Sequence, residues 1–202
     1  MDEWKRKMFE DIVANKFPNL LQMLEQNMDF KRWGFRQVFS GISEKFSPSI
    51  IYDSDQCRVR FVWYEPDISE TATVHIYYGR LHAQTNQRII DWNGRQCSCW
   101  HDPLMAFHFL DGLSPQEAVN NRYKWSPALE KVNQSLLFKG ISMLECAIKM
   151  HSASWNHYGE RLFNLYDMRH LELWDQYVLF LMNCYKIDPF SGESGLPGYE
   201  VC

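Results

Sequence analysis

Between residues 57 and 102 the chain switches to a period of two, and no other feature constrains the fold as strongly. Val59, Phe61 and Trp63 alternate with Arg58, Arg60 and Val62, and Val74, Ile76 and Tyr78 alternate with Thr73, His75 and Tyr77. Successive side chains of an extended strand point to opposite faces, so each alternation specifies a strand with one face toward a core. Pro66 and Asp67 end the first strand, and Asn93-Gly94 stands between Ile89–Trp92 and Arg95–Trp100. Both central residues of a type I′ turn need positive φ, which makes Asn-Gly a strong hairpin signal. A short extra strand fits Ser49–Tyr52. The expectation is an antiparallel meander of about four strands over residues 49–100.

On either side the period is helical. Trp4, Met8, Phe9, Ile12 and Val13 form one stripe, and Leu20, Leu21, Leu24 and Met28 form a second after a break at Asn15 to Pro18. Phe30, Trp33, Val38, Ile42 and Phe46 suggest a third helix, weakened by Gly34 and Gly41. After the strands, Asp102-Pro103 reads as a cap and first turn of a helix over about 103–110, with Leu104, Phe107 and Leu110 on the sheet side. Asp111-Gly112 stops it, and Ser114-Pro115-Gln116-Glu117 is a capping box. Ser126-Pro127 opens a longer helix striped by Leu129, Val132, Leu136, Leu137, Ile141, Leu144 and Ile148, broken at His151–His157. A last helix is expected over about 159–186.

Strands segregated from helices indicate an α+β fold, with N-terminal and C-terminal helices packing on one face of the meander. A single domain is expected over residues 1–190, built from a helical part (1–47), the meander (48–101) and a second helical part (102–187), followed by a loosely held tail at 188–202. The 202 residues are 46% apolar, enough for a sizeable core. No apolar run is long enough to span a bilayer and the N-terminus does not read as a signal peptide, so the expectation is a cytoplasmic protein without membrane contact, whose six cysteines are free thiols.

Net charge is −4. That balance argues against wrapping extended duplex DNA, which needs many uncompensated phosphate contacts. Glycine-rich phosphate loops, a G-x-S-x-G elbow, H-E-x-x-H and paired CxxC are absent. No cofactor is expected.

Two clusters are candidate sites. After Gly79 the apolar phase slips by one residue, which a glycine bulge explains. His75, Tyr77, Arg80 and His82 then join Arg58 and Arg60 on the non-core face of the sheet. Such an Arg/His/Tyr surface suits a small anionic ligand or single-stranded RNA, although an antiparallel sheet needs a polar outer face in any case. In the second cluster, Cys97, Cys99 and His101 share one face if residues 95–101 stay extended, and two thiolates with an imidazole could ligate zinc or supply a nucleophile. The opposing reading is that both cysteines are small buried apolar groups.

These features lead to a non-enzymatic interaction or regulatory protein that binds a macromolecular partner through an aromatic and arginine-containing surface, because Trp, Tyr and Arg dominate binding hot spots. The alternatives are the anion- or RNA-binding module on the outer sheet face, and a Cys/His enzyme or metal protein centred on the CSCWH segment.

Overall fold

Local pairing builds the centre of the fold. The computed structural model describes residues 3–43, 46–64, 73–80, 90–92, 95–97, 99–100, 103–167, 169–185 and 200–201. β1 (Arg36–Ser43), β2 (Phe46–Asp53), β3 (Cys57–Tyr64) and β4 (Thr73–Arg80) form one antiparallel sheet in the order β1-β2-β3-β4. Each strand pairs with its neighbour in sequence. The β2–β3 turn is closed by Ser54, whose backbone N–H donates to Cys57 O and whose Oγ accepts from Cys57 N. Asp53 and Arg58 face each other across that turn and form a two-pronged ion pair, Nε to Oδ1 at 2.5 Å and Nη2 to Oδ2 at 2.6 Å.

The fold is therefore α+β with an antiparallel sheet, as the periodicity indicates. The meander begins earlier than expected. Val38, Ile42 and Phe46 lie in strands, not in a third helix. Gly34, at φ +71, ends the preceding turn, and Val38 is largely exposed, so its helical spacing to Trp33 and Ile42 was coincidental. As an edge strand β1 tolerates the register shifts at Gln37/Phe39 and Gly41/Ser43.

The Asn-Gly hairpin does not extend this sheet. β5 (Ile90–Trp92) pairs with β6 (Arg95–Cys97) as a separate two-stranded ladder. β7 (Cys99–Trp100) pairs with β8 (Glu200–Val201), the described part of the tail expected at 188–202.

Eight helices surround the strands among the described residues: α1 (Glu3–Asn15), α2 (Phe17–Asn27), α3 (Pro103–Leu110), α4 (Pro115–Asn121), α5 (Pro127–Phe138), α6 (Met143–Tyr158), α7 (Glu160–Leu165) and α8 (Leu171–Tyr185). α3 falls where the proline and apolar spacing place it, with Phe107 and Leu110 buried; its expected cap, Asp102, lies outside the described residues. The capping box at Ser114 and Glu117 forms with both reciprocal bonds. The stripe read as one helix after Ser126 is two. Gly140 adopts φ +66, and Ser142 caps α6 by accepting from Glu145 N. His151–His157 lies within α6 and breaks nothing. The last helix is likewise two, α7 and α8, with Asp167 accepting three side-chain hydrogen bonds from Arg169 between them. Burial alone would raise the Asp167 carboxyl, but the Arg169 hydrogen bonds outweigh it and hold the group below its ordinary value.

One sheet face carries Tyr52, Ile50, Val59, Phe61, Ile76 and Tyr78, all buried under the helices. Phe30 stacks on Tyr52 at 3.9 Å and Phe35 on Trp155 at 4.9 Å. Phe30 and Phe35 are therefore buried in the core, while Arg32 is exposed and lies over the Trp33 ring. No helix among the described residues is long and apolar enough to cross a membrane.

Candidate functional site

β4 runs without a bulge. Its partners follow an unbroken register from Tyr64↔Thr73 to Cys57↔Arg80. Alternation then puts Arg80 on the same face as Tyr78 and Ile76, opposite to His75 and Tyr77. The expected phase slip at Gly79 is absent, and Arg80 leaves the outer face. Its guanidinium sits 4.6 Å from the Trp174 ring of α8, fully buried. The apolar residues at 81 and 83 that suggested the slip, with His82, lie outside the described residues.

The outer face is also not an open cationic surface. Arg60 is 1% exposed, and Val62 and Ser49 beside it are buried. Arg58 is engaged by Asp53. Of the five described members of the predicted surface, His75 is exposed and Tyr77 partly so, with Tyr77 Oη 3.3 Å from His75 Nδ1.

The Cys/His cluster does not lie along one strand. Cys97 ends β6 and Cys99 begins β7, and the two belong to different ladders. The shared face required a continuous extension through residues 95–101. His101 lies outside the described residues. No group of three His, Cys, Asp or Glu side chains able to hold a metal occurs among the described residues. Cys57 is buried, and burial pushes its thiol well above the ordinary range, which suits an inert core group rather than a thiolate nucleophile.

Two features emerge that sequence reasoning missed. The first is a cavity of about 230 Å³ along β4, bounded by residues 74–77, Leu104 of α3, Trp125 and His151 of α6. His151 is 6% exposed. Trp155 Nε1 donates to Tyr78 Oη at 2.6 Å, and Tyr78 Oη lies 3.1 Å from His151 Nδ1. An indole N–H can only donate, so Tyr78 Oη accepts from Trp155 and shares a second hydrogen bond with His151 Nδ1. Burial lowers the His151 pKa to about 3, so the ring is neutral at neutral pH. Among the described residues Nε2 has no hydrogen-bond partner. Trp125 stands edge-on to the imidazole at 5.1 Å and stacks on Phe107 at 5.7 Å. The legible signal was the i, i+4 spacing of His151 and Trp155, continuing the face of Ile148.

The second is the apolar tip of the α5–α6 hairpin. Phe138 is 91% exposed, Met143 72% and Leu137 54%. The turn that joins the helices holds these residues at one end of the hairpin. Lys131 and Lys139 are exposed and form no ion pair among the described residues. The stripe noted in the sequence included Leu137 as a core position, whereas the α5 core contribution is Leu129.

Comparison with protein-family models, curated proteins and solved structures gives no match.

Proposed function

We propose that this is a non-enzymatic interaction protein that binds a protein partner through the α5–α6 tip. The observation that carries this reading is the exposure of Phe138, at 91%, beside Met143 and Leu137. Large apolar side chains gathered on one exposed end cost solvation in the free chain, and contiguous patches of this kind mark interaction sites. Phe138 projects furthest and would act as the anchor, entering an apolar recess. Lys131 and Lys139 favour carboxylates around that recess. The buried thiol of Cys57 and the low-pKa imidazole of His151 give an enzyme reading little support, and the arginines engaged or buried at positions 58, 60 and 80 give the anion- or RNA-binding reading little. The test is affinity capture from the native host with the parent and Phe138→Asp, followed by photocrosslinking from position 138. One partner crosslinked by the parent and lost by the variant, with both unfolding at the same temperature, is the expected result. Equal capture by both proteins overturns the reading, as does concentration-dependent self-association by light scattering that Phe138→Asp abolishes.

A further inference from the structure

We propose that Met143 is a reversible oxidation site that switches the α5–α6 tip between an apolar and a polar state. Exposure singles it out. Among the described methionines Met143 alone is exposed, at 72%; Met28, Met105 and Met150 are buried, and Met8, Met23 and Met182 pack against the core. A peroxide reaches a thioether in solvent directly, but reaches a core thioether only when the chain opens. The place of Met143 in the fold keeps the reaction away from the core. It is the first residue of α6, one position after the Ser142 cap, and the buried side chains of that helix begin at Cys146. Its neighbours give the reaction a consequence, because the exposed Leu137 and Phe138 stand across the turn from it.

The co-reactant is hydrogen peroxide. The thioether sulfur attacks one peroxide oxygen, the S–O bond forms as the O–O bond breaks, and the departing oxygen takes up the peroxide proton and leaves as water. Sulfur is oxidised by two electrons and peroxide is reduced by two. The product, methionine sulfoxide, replaces a flexible apolar group with a polar one. In solvent its oxygen is hydrated at no cost to the fold. In an apolar recess of a partner it loses that water without gaining a donor, which opposes burial. This effect on docking rests on the role proposed for the tip, whereas the oxidation itself does not. Coupling runs both ways, since a partner that covers Met143 also shields it from peroxide. Methionine sulfoxide reductases, one for each sulfur epimer, restore the thioether and with it the apolar tip.

The test treats the folded chain with dilute hydrogen peroxide and follows each methionine by peptide mass mapping. Met143 is expected to gain one oxygen to completion while Met28, Met105 and Met150 stay unmodified, with the unfolding temperature unchanged. Retention of the free chain on a hydrophobic-interaction column should shorten on oxidation, approach that of untreated Met143→Gln, and recover with the reductases. Met143→Leu, a volume-conserving apolar replacement, should keep its retention through the same treatment. Partner capture by the parent should fall about tenfold after peroxide, the scale of one buried polar group left unmatched, and capture by Met143→Leu should not fall. Oxidation of Met150 as fast as Met143, unchanged retention of the oxidised chain, or equal loss of capture by treated parent and treated Met143→Leu would each overturn the proposal. Equal capture by the parent and Phe138→Asp defeats the docking role alone, and mapping and retention then decide the oxidation site by themselves.

Discussion

The two arms of the α5–α6 hairpin are joined by a short turn and carry similar apolar content, yet they serve opposite purposes. α6 buries Cys146, Ile148, Met150, His151, Ser154, Trp155 and Tyr158. α5 buries Leu129 and leaves Leu137 and Phe138 in solvent. Even the cap positions differ. Ser142 accepts from the first turn of α6, whereas the Ser126 hydroxyl meets Tyr158 Oη at 2.7 Å and leaves the α5 start without a side-chain cap. An apolar residue on a helix is therefore not by itself evidence of a core. The arm facing the sheet carries stability, and the outer arm carries surface.

This contrast can be broken in graded steps. The largest effect is expected from Trp155→Ala on α6, which removes the ring stacked on Phe35 and the donor to Tyr78. Denaturant unfolding should record a loss of about 3–5 kcal/mol, the usual range for deleting a large buried ring. A value under 1 kcal/mol would mean that α6 is not the core arm.

Acid comes next. The folded His151 pKa, near 3, lies below its unfolded value, and His108 is lowered too, mainly by burial. The unfolded chain therefore binds protons that the native state refuses. Stability is full above about pH 6.5 and falls as pH drops toward 3, by an amount on the order of a few kcal/mol. Thermal unfolding at pH 7 and pH 4.5 measures it, and His151→Leu should narrow the difference between the two temperatures. An undiminished difference would place the acid sensitivity elsewhere.

Smaller effects belong to the turn. Ser142→Ala should cost about 1 kcal/mol through the lost cap. Gly140→Ala should cost a similar ~1 kcal/mol: its φ of +66 disfavours a Cβ although nothing lies within 4 Å of that atom. Smallest of all, Phe138→Ser should change unfolding by less than about 0.5 kcal/mol while weakening partner capture. A large stability loss there would make Phe138 a structural residue and erase the contrast between the arms.

Much of the fold was legible because its signals are local. Alternation identified β3 and β4, Asn93-Gly94 joined a true strand pair, and the serine and proline positions located α3, α4 and α5. What was not legible depended on tertiary context. The slip from Tyr78 to Leu81 suggested a bulge, but pairing with β3 keeps the register through Arg80 and turns that arginine inward onto Trp174. A guanidinium stacked on a buried indole is invisible to a rule that sends charges outward. Val38 and Ile42 mimicked a helical stripe across an edge strand. Cys97 and Cys99 seemed to share a face because nothing in the sequence announced that their ladders part between them. His75 and Tyr77 were correctly assigned to the outer phase, but the cavity they border depends on Trp125 and His151, distant in sequence. No motif connects those residues.

The sequential pairing of β1 to β4 also has a consequence in time. Each strand needs only its predecessor, so the sheet can assemble as soon as residue 80 is available. The helices that cover its aromatic face, α3, α6 and α8, end at Tyr185. At about 5–20 residues per second of synthesis, the roughly hundred intervening residues take on the order of 5–20 s to appear. Until α3 ends at Leu110 and α6 at Tyr158, Ile76 and Tyr78 lack the later helices that bury them. The nascent chain must either delay zipping its sheet or carry an uncovered apolar surface until its second half arrives.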